Sequence, residues 1–100
     1  MTFANVGTLG SASGKRDQLV EILTRRSADL EAAGCLLYEV GVEEEQPNTV
    51  FVVELWTSAA AHQRSLQLDS VQAAILEARP LISGGMSGFR FEVIGSPLRD

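Results

Sequence analysis

The run Val50-Phe51-Val52-Val53-Glu54-Leu55-Trp56-Thr57 constrains this chain more than any other. It is apolar at alternate positions in both registers, so as a strand it is greasy on both faces and needs cover on both. Val50, Val52, Glu54 and Trp56 share one face; Phe51, Val53 and Leu55 share the other. The chain's own helices can cover one side. The other calls for a partner. The first face also carries a carboxylate two residues before the only tryptophan, which puts a polar-aromatic pair against a buried layer.

The rest of the chain supplies the frame. Phe3 to Leu9 reads as a first strand, broken at Gly10-Ser11-Ala12-Ser13-Gly14. A helix is expected from Lys15 to Ala33, with Leu19, Ile22, Leu23 and Leu30 at helical spacing and Gly34 as a left-handed cap. Cys35 to Val42 is a second strand, with Leu36, Tyr38, Val40 and Val42 on one face and Leu37, Glu39 and Gly41 on the other. Glu43-Glu44-Glu45-Gln46-Pro47-Asn48 is a solvated hairpin connection rather than a metal site, because adjacent acids on a loop do not converge. After the third strand, Ser58 is an N-cap leading into Ala59 to Leu66. Asp69 is a second N-cap candidate, before a stripe of Val71, Ala74, Ile75 and Ala78 that Pro80 ends. Ser83-Gly84-Gly85 is a loop, and Met86 to Ile94 a fourth strand.

That order is strand, helix, strand, strand, helix in two pieces, strand. The expected fold is α+β and ferredoxin-like, βαββαβ, one domain over residues 1–100 with a four-stranded antiparallel sheet and helices on one face. The bare face would hold Leu37, Phe51, Val53 and Leu55, so a homodimer through that face is expected. Burying even ~600 Å² per subunit at ~25 cal/mol/Å² favours association by roughly 15 kcal/mol before entropy costs.

Several function classes drop out. A net charge of −5 with eight scattered basic residues argues against nucleic acid. No apolar run approaches the ~20 residues of a membrane span, and the N-terminus lacks the basic and apolar regions of a signal peptide, so a cytoplasmic protein is expected. One histidine and one cysteine cannot build a His/Cys metal cluster or an internal disulfide. Neither a phosphate-binding glycine loop nor a nucleophile elbow is present: Ser83-Gly84-Gly85-Met86-Ser87-Gly88 lies between helix and strand, the reverse of a phosphate cradle. No metal and no cofactor are expected. The polar groups able to line a pocket are Asn5, Tyr38, Glu54, Trp56, His62 and Ser65. Each has a plainer reading: core aromatics for Tyr38 and Trp56, an ion pair with Arg64 or Arg90 for Glu54, a helix-surface residue for His62. Cys35 reads as a small buried hydrophobe.

Gly34-Cys35-Leu36-Leu37-Tyr38, the Pro47-Asn48 turn, and Glu54-Leu55-Trp56-Thr57-Ser58 before an alanine-rich helix together resemble the antibiotic biosynthesis monooxygenase family and its small quinol-monooxygenase-like members. Length and element order fit over nearly the whole chain. The resemblance implies a dimeric α+β barrel that oxidises a small aromatic, polyketide or quinol-like substrate with O2, without metal or flavin. It implies Trp56 as the pocket wall and His62 as the proton carrier, since an imidazole titrates near neutrality. Asn5, Tyr38 and Ser65 would donate hydrogen bonds, and Glu54 would orient a neighbour. Ser65 stands where many members carry a histidine, and Val52 where the polyketide-oxidising branch carries an asparagine; His62 falls where that branch has a tyrosine. The heme-degrading branch has a second tryptophan at the Ser65 position and a histidine at Ile75, so heme degradation is not expected. The competing expectation is a non-catalytic dimeric small-molecule-binding module of the same fold.

Overall fold

A computed structural model describes residues 1–99. Its elements run β1 (Phe3–Ser11), α1 (Arg16–Leu23), α2 (Ala28–Ala32), β2 (Cys35–Gly41), β3 (Thr49–Trp56), α3 (Ala59–Ser65), α4 (Asp69–Ala78), a 3-10 turn (Arg79–Leu81) and β4 (Ile82–Glu92). The four strands form one antiparallel sheet in the order β2-β3-β1-β4. This is the ferredoxin-like βαββαβ arrangement. The first strand made lies inside the sheet, between the third and the fourth.

Alternation places the core where the third strand anticipates it. Val50 and Val52 pack with Leu19 and Ile22 of α1 and Ala78 of α4, ringed by Leu9, Tyr38, Val40, Ala74, Leu81 and Ile82. The opposite face reads in cross-strand rows. Leu37, Leu55, Ala4 and Phe91 form one, and Glu39, Val53, Val6 and Phe89 the next. Val53 remains 42% exposed and Phe89 75% exposed.

Three boundary expectations are corrected. The helix expected over Lys15 to Ala33 is two helices, broken at residues 24–27. The Thr24 hydroxyl donates back to the Val20 carbonyl at 2.8 Å, a local bond that competes with helix continuation. Ser27 is extended, with φ −144° and ψ 105°. Leu30 keeps helical spacing from Leu23 only by coincidence of number, since it belongs to α2. Secondly, the loop expected at Ser83-Gly84-Gly85 lies within β4, which starts at Ile82. Ile82 pairs with Ser11 across a bulge, so β1 continues to Ser11 beyond Leu9; Gly84 takes a φ of +87° that glycine alone adopts cheaply. Finally, Asp69 is the first helical residue and not the cap; Leu68 precedes it without a side-chain bond. Its carboxylate still sits at the positive end of the helix dipole.

The other boundaries hold to within a residue or two. Ser58 caps α3, its hydroxyl accepting from the Ala61 N–H at 3.0 Å. Gly34 closes α2 at φ +108°, and a Cβ there would run into Thr57 Oγ1 at 2.5 Å. Its carbonyl accepts from the Thr57 N–H, which ties the end of α2 to the end of β3. In β2, Leu36 is the extra residue of a bulge between Cys35 and Leu37, so it leaves the face it was expected to share with Tyr38 and is exposed. α4 stops at Ala78, ahead of Pro80.

Candidate functional site

The register of the central strands builds the site. Glu54 on β3 stands opposite Asn5 on β1 and opposite Tyr38 on β2, and directly paired residues project to the same side of a sheet. Arg90 on β4 extends this row beyond Asn5. One step toward the sheet's end, Trp56 pairs with Phe3 and with Cys35. α3 then lays His62 over this end. Its ring centroid is 5.4 Å from that of Trp56, edge-on, and 5.6 Å from that of Phe3.

The polar atoms converge on one carboxylate. Asn5 Nδ2 donates to Glu54 Oε2 at 2.9 Å, and Trp56 Nε1 donates to Glu54 Oε1 at 3.0 Å. His62 Nε2 lies 3.9 Å from Oε1. The group is dry: Trp56 is 1% exposed, His62 5% and Glu54 9%. The plainer reading of Glu54 was an ion pair with Arg64 or Arg90. It pairs with neither among the described residues; the two N–H donors take the place of the cation. Burying a carboxylate costs stability unless hydrogen bonds replace its water, and two neutral donors do so here without adding a second charge.

His62 is not the helix-surface residue of the plainer reading. Its Nδ1 is buried without a hydrogen-bond partner. Ser65, one turn on, donates its hydroxyl to the His62 carbonyl at 2.6 Å, so that hydroxyl is engaged within its own helix. Val52 packs into the apolar core beside Leu19 and Ile22. Tyr38 is half-buried. Burial, then the Glu54 carboxylate and the Cys35 thiol, push its phenol above the ordinary tyrosine range, so it stays protonated.

A groove of about 710 Å³ opens on the far side of Tyr38, between the edge strand β2 and the ends of α1 and α2. Leu23, Leu30, Leu37 and Val40 give it apolar walls, with Thr24 and Ser27 at the helix break. Neither Trp56 nor His62 lines it. Tyr38 belongs to both, lining the groove and standing beside Glu54 in the sheet. Sequence reasoning missed the groove. The signals were present in Thr24 and Ser27, residues that favour local bonds over helix interior, and in β2 as an edge. Cys35 lines the groove and is half-buried, not core; burial pushes its thiol up. Glu43, Glu44 and Glu45 are exposed on their loop as expected.

The antibiotic biosynthesis monooxygenase family model matches residues 2–76. This chain belongs to that family. A Chloroflexus aurantiacus structure named for the family shares 31% identity over 96% of both chains, with a TM-score of 0.83. A Deinococcus radiodurans structure also named for it is 25% identical over 96% of this chain and 95% of its own, TM-score 0.73. A Caulobacter crescentus structure, 21% identical over 94% and 91%, TM-score 0.77, adds support for the fold alone. No curated protein matches the sequence. Membership carries the ferredoxin-like fold and a monooxygenase-like or small-molecule-binding role. No helix among the described residues is long and apolar enough to cross a membrane.

Proposed function

We propose that the chain is a cofactor-independent monooxygenase of the cytoplasm that oxidises a small aromatic, polyketide or quinol-like substrate with O2, as a homodimer. One observation carries this reading. A family fold known for oxygen chemistry here buries a carboxylate, an indole and an imidazole against one another, with one imidazole nitrogen left without a partner. Such a cluster is expensive to bury for stability alone and is characteristic of sites that move protons.

The reaction needs little from the protein. A methylene or phenol proton passes to His62, and the electron pair left behind makes the substrate a reductant. Its anion gives one electron to O2, and the radical pair joins to a peroxide anion that takes the proton back as a hydroperoxide. The second C–H bond and the O–O bond then break as water leaves and the new carbonyl forms. For an anthrone-like substrate the balance is CH2 + O2 giving C=O + H2O. Trp56 supplies the aromatic wall, and the dry surroundings favour charge delocalised over the substrate. Tyr38, protonated, is the hydrogen-bond donor at the boundary between groove and cluster. Tyr38, which lines the groove, stands one strand spacing, ~4.8 Å, from Glu54 and links the two. Asn5 holds Glu54, Val52 belongs to the neighbouring apolar core, and the Ser65 hydroxyl ties back to the His62 carbonyl.

The homodimer is supported by the open sheet face, where Leu37, Val53, Phe89 and Phe91 stand exposed together. A patch of this kind marks an interface in a stable protein.

A non-catalytic binding module is the second reading, and a specific observation favours it: Trp56 and His62 are buried and absent from the groove lining. Oxygen uptake by metal-stripped protein against anthrones, quinols and naphthols separates the two. The oxygenase reading expects turnover that survives chelation and is lost in folded Trp56→Ala and His62→Ala variants. Absence of uptake, with ligand still quenching Trp56 fluorescence, overturns it in favour of the module.

A further inference from the structure

The imidazole of His62 has two nitrogens with different fates. Nε2 faces Glu54 Oε1 at 3.9 Å, which is beyond hydrogen-bond reach but well within range of a charge. Nδ1 is buried and has no hydrogen-bond partner among the described residues. A neutral imidazole carries one proton, so one nitrogen is a donor and the other an acceptor. The two choices are unequal here. With the proton on Nδ1, a buried N–H would have no acceptor, and the Nε2 lone pair would face a carboxylate. With the proton on Nε2, the N–H dipole points at the carboxylate, and Nδ1 is an unoccupied lone pair. An orphaned buried donor is the rarer and costlier state.

Glu54 is itself held in place for this. Oε2 is taken by Asn5 from β1 and Oε1 by Trp56 from its own strand, so the carboxylate cannot swing away. The imidazole is fixed in turn between the Phe3 and Trp56 rings. Three elements, β1, β3 and α3, therefore set one proton's position.

We propose that Glu54 is a positioning residue that keeps His62 in its Nε2–H tautomer and thereby makes Nδ1 the proton-accepting atom of the site. The assignment rests on the oxygenase reading for the source of the proton, but not for the nitrogen that takes it. In that reaction the substrate C–H or O–H bond breaks, its proton goes to Nδ1, and Glu54 faces the imidazolium that results. The electron pair stays with the substrate for O2. The peroxide anion formed when the radical pair joins takes that proton back from Nδ1. The second C–H bond and the O–O bond then break, and that second hydrogen leaves with the distal oxygen as water.

The chain's single histidine makes the test direct. In uniformly 15N-labelled protein, long-range proton–nitrogen correlations at a pH where the ring is neutral report the tautomer ratio without reference to activity. The wild type is expected to favour Nε2–H beyond the ratio of free histidine. Glu54→Gln is expected to lower that ratio by about tenfold, because it removes the unit charge that faces the ring. A wild-type ring protonated on Nδ1, or a ratio unchanged in Glu54→Gln, overturns the assignment. Should Glu54→Gln fail to fold, Trp56→Phe removes the competing N–H from Oε1 and keeps the carboxylate. The Nε2–H preference must then hold or rise, and a swing to Nδ1–H overturns the assignment. Where a substrate turns over, Glu54→Gln is expected to lower kcat with KM nearly unchanged. A shift in ratio with no turnover of any substrate by the wild type sinks the oxygenase reading and leaves the tautomer assignment standing.

Discussion

Strand β3 feeds both faces of the sheet, and the two faces are covered in opposite senses. On the helix side the covered residues include Glu54 and, from α3, His62, a titratable pair sealed with Trp56. On the open side Val53, Phe89 and Phe91 are left to solvent with no helix over them. A subunit concerned only with its own stability would reverse this, burying Phe89 and exposing Glu54. The polar face inside is thus the face to question for chemistry, and the apolar face outside is the one to question for assembly.

The contrast breaks or sharpens under four changes. Trp56→Ala empties the space between Phe3, His62 and Glu54 and is expected to cost about 3–5 kcal/mol in urea unfolding. A cost near that of Phe89→Ala in the separated subunit, expected within about 0.5 kcal/mol, would erase the distinction between the faces. Val53→Arg puts a charge in the middle of the open face. Sedimentation equilibrium is expected to show dimer dissociation rising at least about a hundredfold, roughly 2.7 kcal/mol, with circular dichroism unchanged; an unaltered molecular mass would remove this face as the interface. Ser58→Ala frees the Ala61 N–H where α3 delivers His62, and a loss of about 1 kcal/mol is expected. No loss would mean that α3 is held by His62 alone.

The smallest effect is a matter of pH. Tyr38 holds its proton above the ordinary tyrosine range when folded. The unfolded chain releases that proton near pH ~10, so this contribution is complete below that pH and is lost as pH rises through the folded value. The chain has one tyrosine, and its phenolate absorbance is expected to appear only above the ordinary range or together with unfolding. A phenolate at the ordinary pH in a protein of native circular dichroism would mean that Tyr38 is solvated and that the groove reaches past it.

The faces were legible because a strand has a strict period of two: once Val50 to Thr57 is a strand, Glu54 and Trp56 must share a side. Element order was legible from the same patterning. What one strand cannot reveal is its partner's register, and that is why the plainer reading of Glu54 offered an arginine when Asn5 was its neighbour. Charge suggests charge in a sequence, whereas the sheet offers whichever residue lies opposite. The break between α1 and α2 escaped because Leu19, Ile22, Leu23 and Leu30 keep a helical count across it, while the Thr24 back-bond that ends α1 is local and leaves no periodic mark. β4 was begun late because glycines that mark loops in most chains here sit in a bulged strand.

β1 has a consequence for how the molecule comes into being. It is synthesised before the other three strands, yet it is an inner strand whose two edges are claimed by segments far downstream: Asn5 meets Glu54 at a separation of 49 residues, and Thr8 meets Ser87 at 79. Gly7 and Gly88 face each other there so closely that a Cβ on either would strike the other strand's backbone. The seam therefore closes only in one register. During translation β1 must wait with an open edge until β4 emerges, a non-local pairing of the kind that slows folding and leaves an unpaired strand edge in the interval.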